Sequence, residues 1–168
     1  MTAELPLAPL PRRLAAAGYE ALLLGAVVIA VGFALAPVVS PPASSGISVA
    51  LPSAPARVAL FASLVGTGAV YFGWFWTGGR RTLPMQTWKL GIVRADGAPV
   101  PRRAAMLRYA AFWIGPVLAF AAYAALESTG HAKQALWLLA LNYAWALVDA
   151  DRQFLHDRIA GTRIVGPL

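Results

Sequence analysis

Long apolar runs separated by short polar stretches set the pattern of this chain. Leu14 to Ala36 carries a single charge, Glu20, and Val58 to Trp76 carries none. Tyr109 to Leu126 is a third such run, and Gln134 to Val148 a fourth and shorter one. A helix rises about 1.5 Å per residue, so roughly 20 apolar residues cross a bilayer core about 30 Å thick. The pattern predicts an all-α polytopic membrane protein with four transmembrane helices over 14–36, 58–76, 109–126 and 134–148. An outer linker (37–57), a loop (77–108) and a tail (149–168) complete a single membrane domain over 1–168. The fourth run is near the lower limit for a crossing helix. Arg12-Arg13 and Ala34-Leu35-Ala36 imitate a cleaved leader, but the apolar run between them is too long and contains Glu20.

Composition agrees with lipid as the solvent. Hydrophobic residues are 59% of the 168 and charged residues 12%, about half the usual soluble share of roughly 25%. The charges are placed unevenly. Of the 14 basic residues, all but Arg57 and Lys133 fall before the first run, between the second and third, or after the fourth. Short loops rich in Arg and Lys stay on the cytoplasmic side, which predicts both termini and the 77–108 loop inside. These residues flank apolar spans rather than sharing one soluble face. The expected partner is therefore the anionic headgroup layer of the bilayer, not nucleic acid. With no cysteine there is neither a disulfide framework nor a thiolate metal site.

Glu20 lies about 9 Å into the first helix, at a depth where a carboxylate must be paired, protonated or hydrated. Arg13 precedes it by two turns on nearly the same face, which suggests an ion pair. Gly18, Gly25 and Gly32 form a small-residue stripe on the other face, and Gly66 and Gly73 form a matching one on the second helix. Such stripes let helix backbones approach closely in lipid, so the two helices are expected to pack through them and leave Glu20 facing spans three and four. Asn142 near the middle of the fourth run suits an interhelical hydrogen bond, with Asp149 two turns later. Pro116 removes a helical donor and should kink the third helix near Phe112. No phosphate loop, zinc-binding His pair or nucleophile elbow is present in the sequence. An enzyme, a cofactor and a metal site are therefore not expected.

Three segments resemble the RDD family of small bacterial membrane proteins. Arg13-Leu14-Ala15-Ala16 with an acid at position 20 is similar to that family's opening, where Asp normally follows the Arg by seven residues. Arg81-Thr82-Leu83-Pro84-Met85-Gln86-Thr87-Trp88-Lys89-Leu90, running on to Asp96-Gly97, resembles its central loop, with Pro84 where many relatives have Gly. Leu155-His156-Asp157-Arg158-Ile159-Ala160-Gly161-Thr162 resembles its closing motif. The resemblance implies a multi-pass protein of the bacterial plasma (inner) membrane and maps the named Arg, Asp and Asp onto Arg13, Glu20 and Asp157. It suggests transport for some members.

Asp96-Gly97 between Gly91–Arg94 and Ala98–Val100 suits a tight hairpin in the cytoplasmic loop. Thr162–Val165 is a further β-prone run, expected to lie beside that loop. Glu20, Asp149 and Asp157 should then gather with Arg13 and Arg108 at the inner membrane boundary. Two functions fit: a small transporter or ion-coupled carrier with Glu20 as its intramembrane carboxylate, or a non-catalytic accessory subunit of a larger membrane complex. Four helices without an internal repeat offer little room for a pathway, so a homo-oligomer or larger assembly is expected in either case.

Overall fold

The computed structural model describes residues 6–39 and 52–166. Helix α1 (Leu10–Val39) and helix α2 (Ala54–Phe75) form over the first two apolar runs. Ser53 caps α2, its hydroxyl accepting from the Ala56 amide at 3.4 Å, with proline in the first turn. Both ends of the expected outer linker are helical, and its centre, 40–51, lies outside the described residues. Three helical stretches are long and apolar enough to cross a membrane: Leu10–Leu35, Ala54–Phe75 and Arg102–Thr129.

The third stretch begins at Arg102 rather than Tyr109, so Arg108 lies within it. It consists of α4 (Arg102–Phe112) and α5 (Ile114–Leu126), joined at Trp113. The break is the one Pro116 demands. Proline has no amide to donate four residues back, which strands the Phe112 carbonyl. Asn142 Nδ2 donates to that carbonyl at 2.7 Å, so a side chain from the fourth run supplies the missing hydrogen bond.

The fourth run is not the α-helix expected. It is 3₁₀ over Ala132–Ala140, then a single α turn, α6 (Leu141–Ala144), then 3₁₀ again over Trp145–Leu147. It lies very close to α5: a Cβ added at Gly115 would sit 2.8 Å from the Leu138 carbonyl oxygen. Only glycine permits that approach.

The glycine stripes do not join α1 to α2. A Cβ added at Gly18, Gly25, Gly32 or Gly66 would meet nothing within 4 Å. The close face of α2 is instead used by α4: a Cβ at Gly73 would meet the Met106 methyl at 2.8 Å, and one at Gly68 the Tyr109 hydroxyl at 2.6 Å. Tyr109 also donates to the Val65 carbonyl at 2.8 Å. Its ring packs on Phe72, which stacks on Trp76 at 4.1 Å. This aromatic seam draws α2 toward α4, while α1 meets α2 through the bond between Glu20 and Tyr71.

The loop after α2 holds a short helix, α3 (Leu83–Thr87), and a strand, β1 (Gly91–Arg94). After the fourth run come α7 (Leu155–Ala160) and β2 (Thr162–Val165). The two strands are antiparallel, Gly91 opposite Val165 and Arg94 opposite Thr162. The expected local hairpin is absent from the sheet. Asp96-Gly97 does turn the chain, with Gly97 at φ +82° and the Arg94 amide bonded to the Ala98 carbonyl at 2.9 Å. Pro99 and Pro101 then interrupt the would-be second strand, since proline brings no ladder donor. The partner is the tail, as its β-prone run suggested. Leu7 bridges to Val165, and the Ala8 amide donates to Ile164 at 3.1 Å. The segment before α1, the central loop and the tail thus form one small cap over the ends of the helices.

Candidate functional site

Under that cap the polar side chains sort into two clusters. In the first, Arg108 Nε donates to Asp157 Oδ1 at 2.7 Å, and the two side chains are only 4% and 1% exposed. Thr162 Oγ1 donates to the same oxygen at 2.8 Å, and the guanidinium lies 4.1 Å over the Trp76 ring. Arg108 Nη2 approaches His156 Nε2 at 3.3 Å. Arginine can only donate, so that nitrogen accepts and the imidazole proton sits on Nδ1. Burial, with the guanidinium adding to it, pushes His156 down to about 4 against the pull of Asp157. The imidazole is therefore neutral at pH 7, and its 3.7 Å approach to Asp157 Oδ2 is no ion pair. Burial works against ionisation of Asp157, but Arg108, with Thr162, holds the carboxylate below its usual range. Positions 156 and 157 share this place because α7, ended by Gly161 at φ +63°, packs on α4.

The second cluster surrounds Glu20. Tyr71 Oη donates to Glu20 Oε1 at 2.7 Å, and Thr82 Oγ1 to Oε2 at 2.6 Å. Thr82 caps α3 and is fully buried, which brings the central loop down onto α1. Glu20 forms no ion pair among the described residues, contrary to the pairing with Arg13 expected from their spacing. Arg13 is turned to the tail, where Nη2 donates to the Arg152 carbonyl at 2.6 Å and the guanidinium lies 5.1 Å from the Phe154 ring centre. Glu20 faces Tyr71 of α2 and the loop, not spans three and four alone. Arg13, Glu20, Arg108 and His156 nevertheless line one partly open cavity of about 110 Å³, together with apolar groups such as Leu24, Met85 and Phe112. That volume has room for several water molecules.

Asp149 belongs to neither cluster. Its carboxylate accepts from the backbone amides of Gln153 at 2.9 Å and Asp151 at 3.1 Å, and from Arg158 Nε at 3.0 Å. The Gln153 amide, with Arg158, holds it below the usual carboxylate range. Its distance in sequence from Arg13 and Arg108 gave no warning that backbone donors two and four residues on would claim it first.

Tyr71 and Trp76 were not among the candidate site residues, and Thr82, His156 and Thr162 entered only as members of the family-like segments. Thr82 carried a readable signal, a Thr followed by Leu-Pro at a helix start. The others are aromatic or hydroxyl residues whose partners lie about fifty residues away or in another element, beyond any local pattern.

Three apolar helices whose polar groups gather beneath a cap built from both ends and the central loop define a membrane-protein fold. The family model for the RDD family matches residues 7–161, and the chain belongs to that family. No curated protein and no solved structure matches it.

Proposed function

We propose that this chain is a small, non-enzymatic carrier of the bacterial plasma membrane, acting as an oligomer, with Glu20 as the group that takes up and releases a proton or small cation. One observation carries this reading: the Glu20 carboxylate is held by two neutral hydroxyls and lines a cavity, while both neighbouring arginines are engaged elsewhere. A structural tie would have its charge matched by a cation; an acid held by neutral donors beside a water-sized space can change protonation without breaking an ion pair. The reading takes the chain to cross four times, with both termini and the central loop cytoplasmic. The 3₁₀ rise of about 2.0 Å per residue stretches residues 132–147 to about 30 Å, a full bilayer core. Trp137, Leu147 and Val148 on that segment are largely exposed, as lipid-facing residues are.

The test uses proton flux. Purified protein in liposomes loaded with a pH-sensitive dye should dissipate an imposed pH gradient faster than protein-free liposomes, and Glu20→Gln should return to that baseline while its melting temperature stays within a few degrees of the natural protein's. Baseline flux for the natural protein, or unchanged flux for the variant, overturns the carrier. For the topology, cysteines placed singly at Ser45 and Ala98 should label from opposite sides with an impermeant reagent.

The second reading, an accessory subunit, has its own support. Gly18, Gly25 and Gly32 stand open along α1, a face on which another protein's helix could pack closely. Co-purification of a stoichiometric membrane partner, lost on replacing Gly25 by Leu, would favour it.

A further inference from the structure

A groove of about 450 Å³ lies at the seam between α2 and α4 and shares no lining residue with Glu20's cavity. Its walls are apolar: Ala69, Val70 and Gly73 from α2, and Met106 from α4. Val70 is 75% exposed, so the groove opens on the face that meets lipid tails. At the end where α2 stops and α4 starts, Arg80 and Arg102 line the mouth, and no carboxylate lines any part of it. Arg80 is fixed in place. Nε donates to the Trp74 carbonyl at 2.8 Å, Nη2 to Thr77 Oγ1 at 2.9 Å, and the guanidinium lies 4.2 Å over the Trp74 ring. Its remaining nitrogen, Nη1, has no partner within the protein among these contacts. A tryptophan and an arginine stacked at the end of a crossing helix occupy the headgroup level of the bilayer.

We infer that this groove holds one anionic phospholipid, an acyl chain lying against Ala69, Gly73 and Met106 and the phosphate between Arg80 and Arg102. Charge complementarity selects the occupant. Two guanidiniums, that of Arg80 fixed in place, with no carboxylate lining the groove attract a headgroup of net negative charge, and a zwitterionic headgroup brings its own cation into that field. The apolar length of the groove requires a chain attached to the headgroup, which a free phosphate lacks. The inference does not depend on transport; it needs only α2 and α4 to meet the bilayer with Arg80 and Arg102 at its edge.

The full-length protein, solubilised in mild detergent and presented with equimolar dioleoyl-phosphatidylglycerol and dioleoyl-phosphatidylcholine, would be weighed intact by native mass spectrometry. One phosphatidylglycerol should be retained in preference to phosphatidylcholine. Each arginine near a membrane surface contributes about fivefold in affinity, so Arg80→Gln and Arg102→Gln should each lower the preference by about that factor and the double variant should abolish it. Ala69→Phe, which fills the groove and keeps both charges, should reduce retention of both lipids. Melting temperatures within a few degrees of the natural protein would show that the variants fold; should the double variant unfold, the two single variants and Ala69→Phe still decide. Equal retention of the two lipids, an undiminished preference in the arginine variants, undiminished retention in Ala69→Phe, or displacement of the lipid by inorganic phosphate overturns the inference.

Discussion

Asp157 and Glu20 lie under the same cap, and each accepts two side-chain hydrogen bonds shorter than 3 Å. They differ in who donates. Asp157 takes one bond from a guanidinium and is almost fully enclosed; Glu20 takes both from hydroxyls and borders a cavity. A buried carboxylate matched by a cation is fixed in its charged state, because losing either partner strands the other in a medium that solvates it poorly. A carboxylate held by neutral hydroxyls keeps its geometry in either protonation state, since a hydroxyl can donate or accept. Two acids that the sequence presents as equivalent are thus, in place, a lock and a variable group.

The largest effect that could break this contrast is at Asp157. Asp157→Asn should cost about 3–5 kcal/mol by leaving Arg108 uncompensated, read as a lowered melting temperature in detergent. A loss under about 1 kcal/mol, the range of exposed pairs, would show that the pair is no lock.

Acid should act on the same cluster. His156 binds a proton at about 4 in the folded protein against about 6.5 unfolded. Its contribution is whole above pH 6.5 and is lost as pH falls toward 4, amounting to about 3 kcal/mol at the lower limit. Asp157, also held low, adds its own loss below about pH 3.9, its unfolded value. Melting temperature followed from pH 7 to 4 should fall, and His156→Leu should flatten that stretch of the curve.

Glu20 should respond far more mildly. Glu20→Gln exchanges two charge-assisted bonds for neutral ones and should change stability by about 1 kcal/mol. Tyr71→Phe removes one donor and should cost about the same. The smallest expected effect is the coupling between Arg13 and Glu20. With no direct pair between them, the double substitution Arg13→Gln, Glu20→Gln should equal the sum of the singles within about 0.5 kcal/mol. A coupling of 2 kcal/mol or more would restore the ion pair that the helical spacing suggests and make the two acids alike after all.

What could be read in advance follows from the range of each interaction. Apolar length needs no tertiary information, and three helices long and apolar enough to cross a membrane follow from it directly. The helix break also follows from one residue, because Pro116 acts on its own neighbour four positions back; that Asn142 repairs it needed the fold. Helical spacing brought Arg13 and Glu20 to one face but could not show that Tyr71, Thr82 and the Arg152 carbonyl would compete for them. The glycine stripes misled for a similar reason: a small-residue face permits close packing, and the aromatic seam of Phe72, Trp76 and Tyr109 decided which face was used. The fourth run was hard to read because fifteen mostly apolar residues make an α-helix near the lower limit for crossing, and nothing in them announces a 3₁₀ helix. The tail–loop strand pairing was legible, since both segments are β-prone and share a side; the competing hairpin required weighing two prolines.

The bond between Arg108 and Asp157 also has a place in time. Its two residues are 49 positions apart, and chains grow at about 5–20 residues per second, so roughly 2–10 s separate the synthesis of one from that of the other. The third long helix, which ends at Thr129, is synthesised early in that interval, and for the rest of it the guanidinium still has no carboxylate and β1 has no second strand. Until the tail arrives, Arg108 lacks the carboxylate that neutralises it in the folded protein. Closing the cap therefore has to wait for the tail, and a nascent chain stalled between these two points presents an unpaired arginine and an open strand edge to whatever quality-control machinery surveys the membrane.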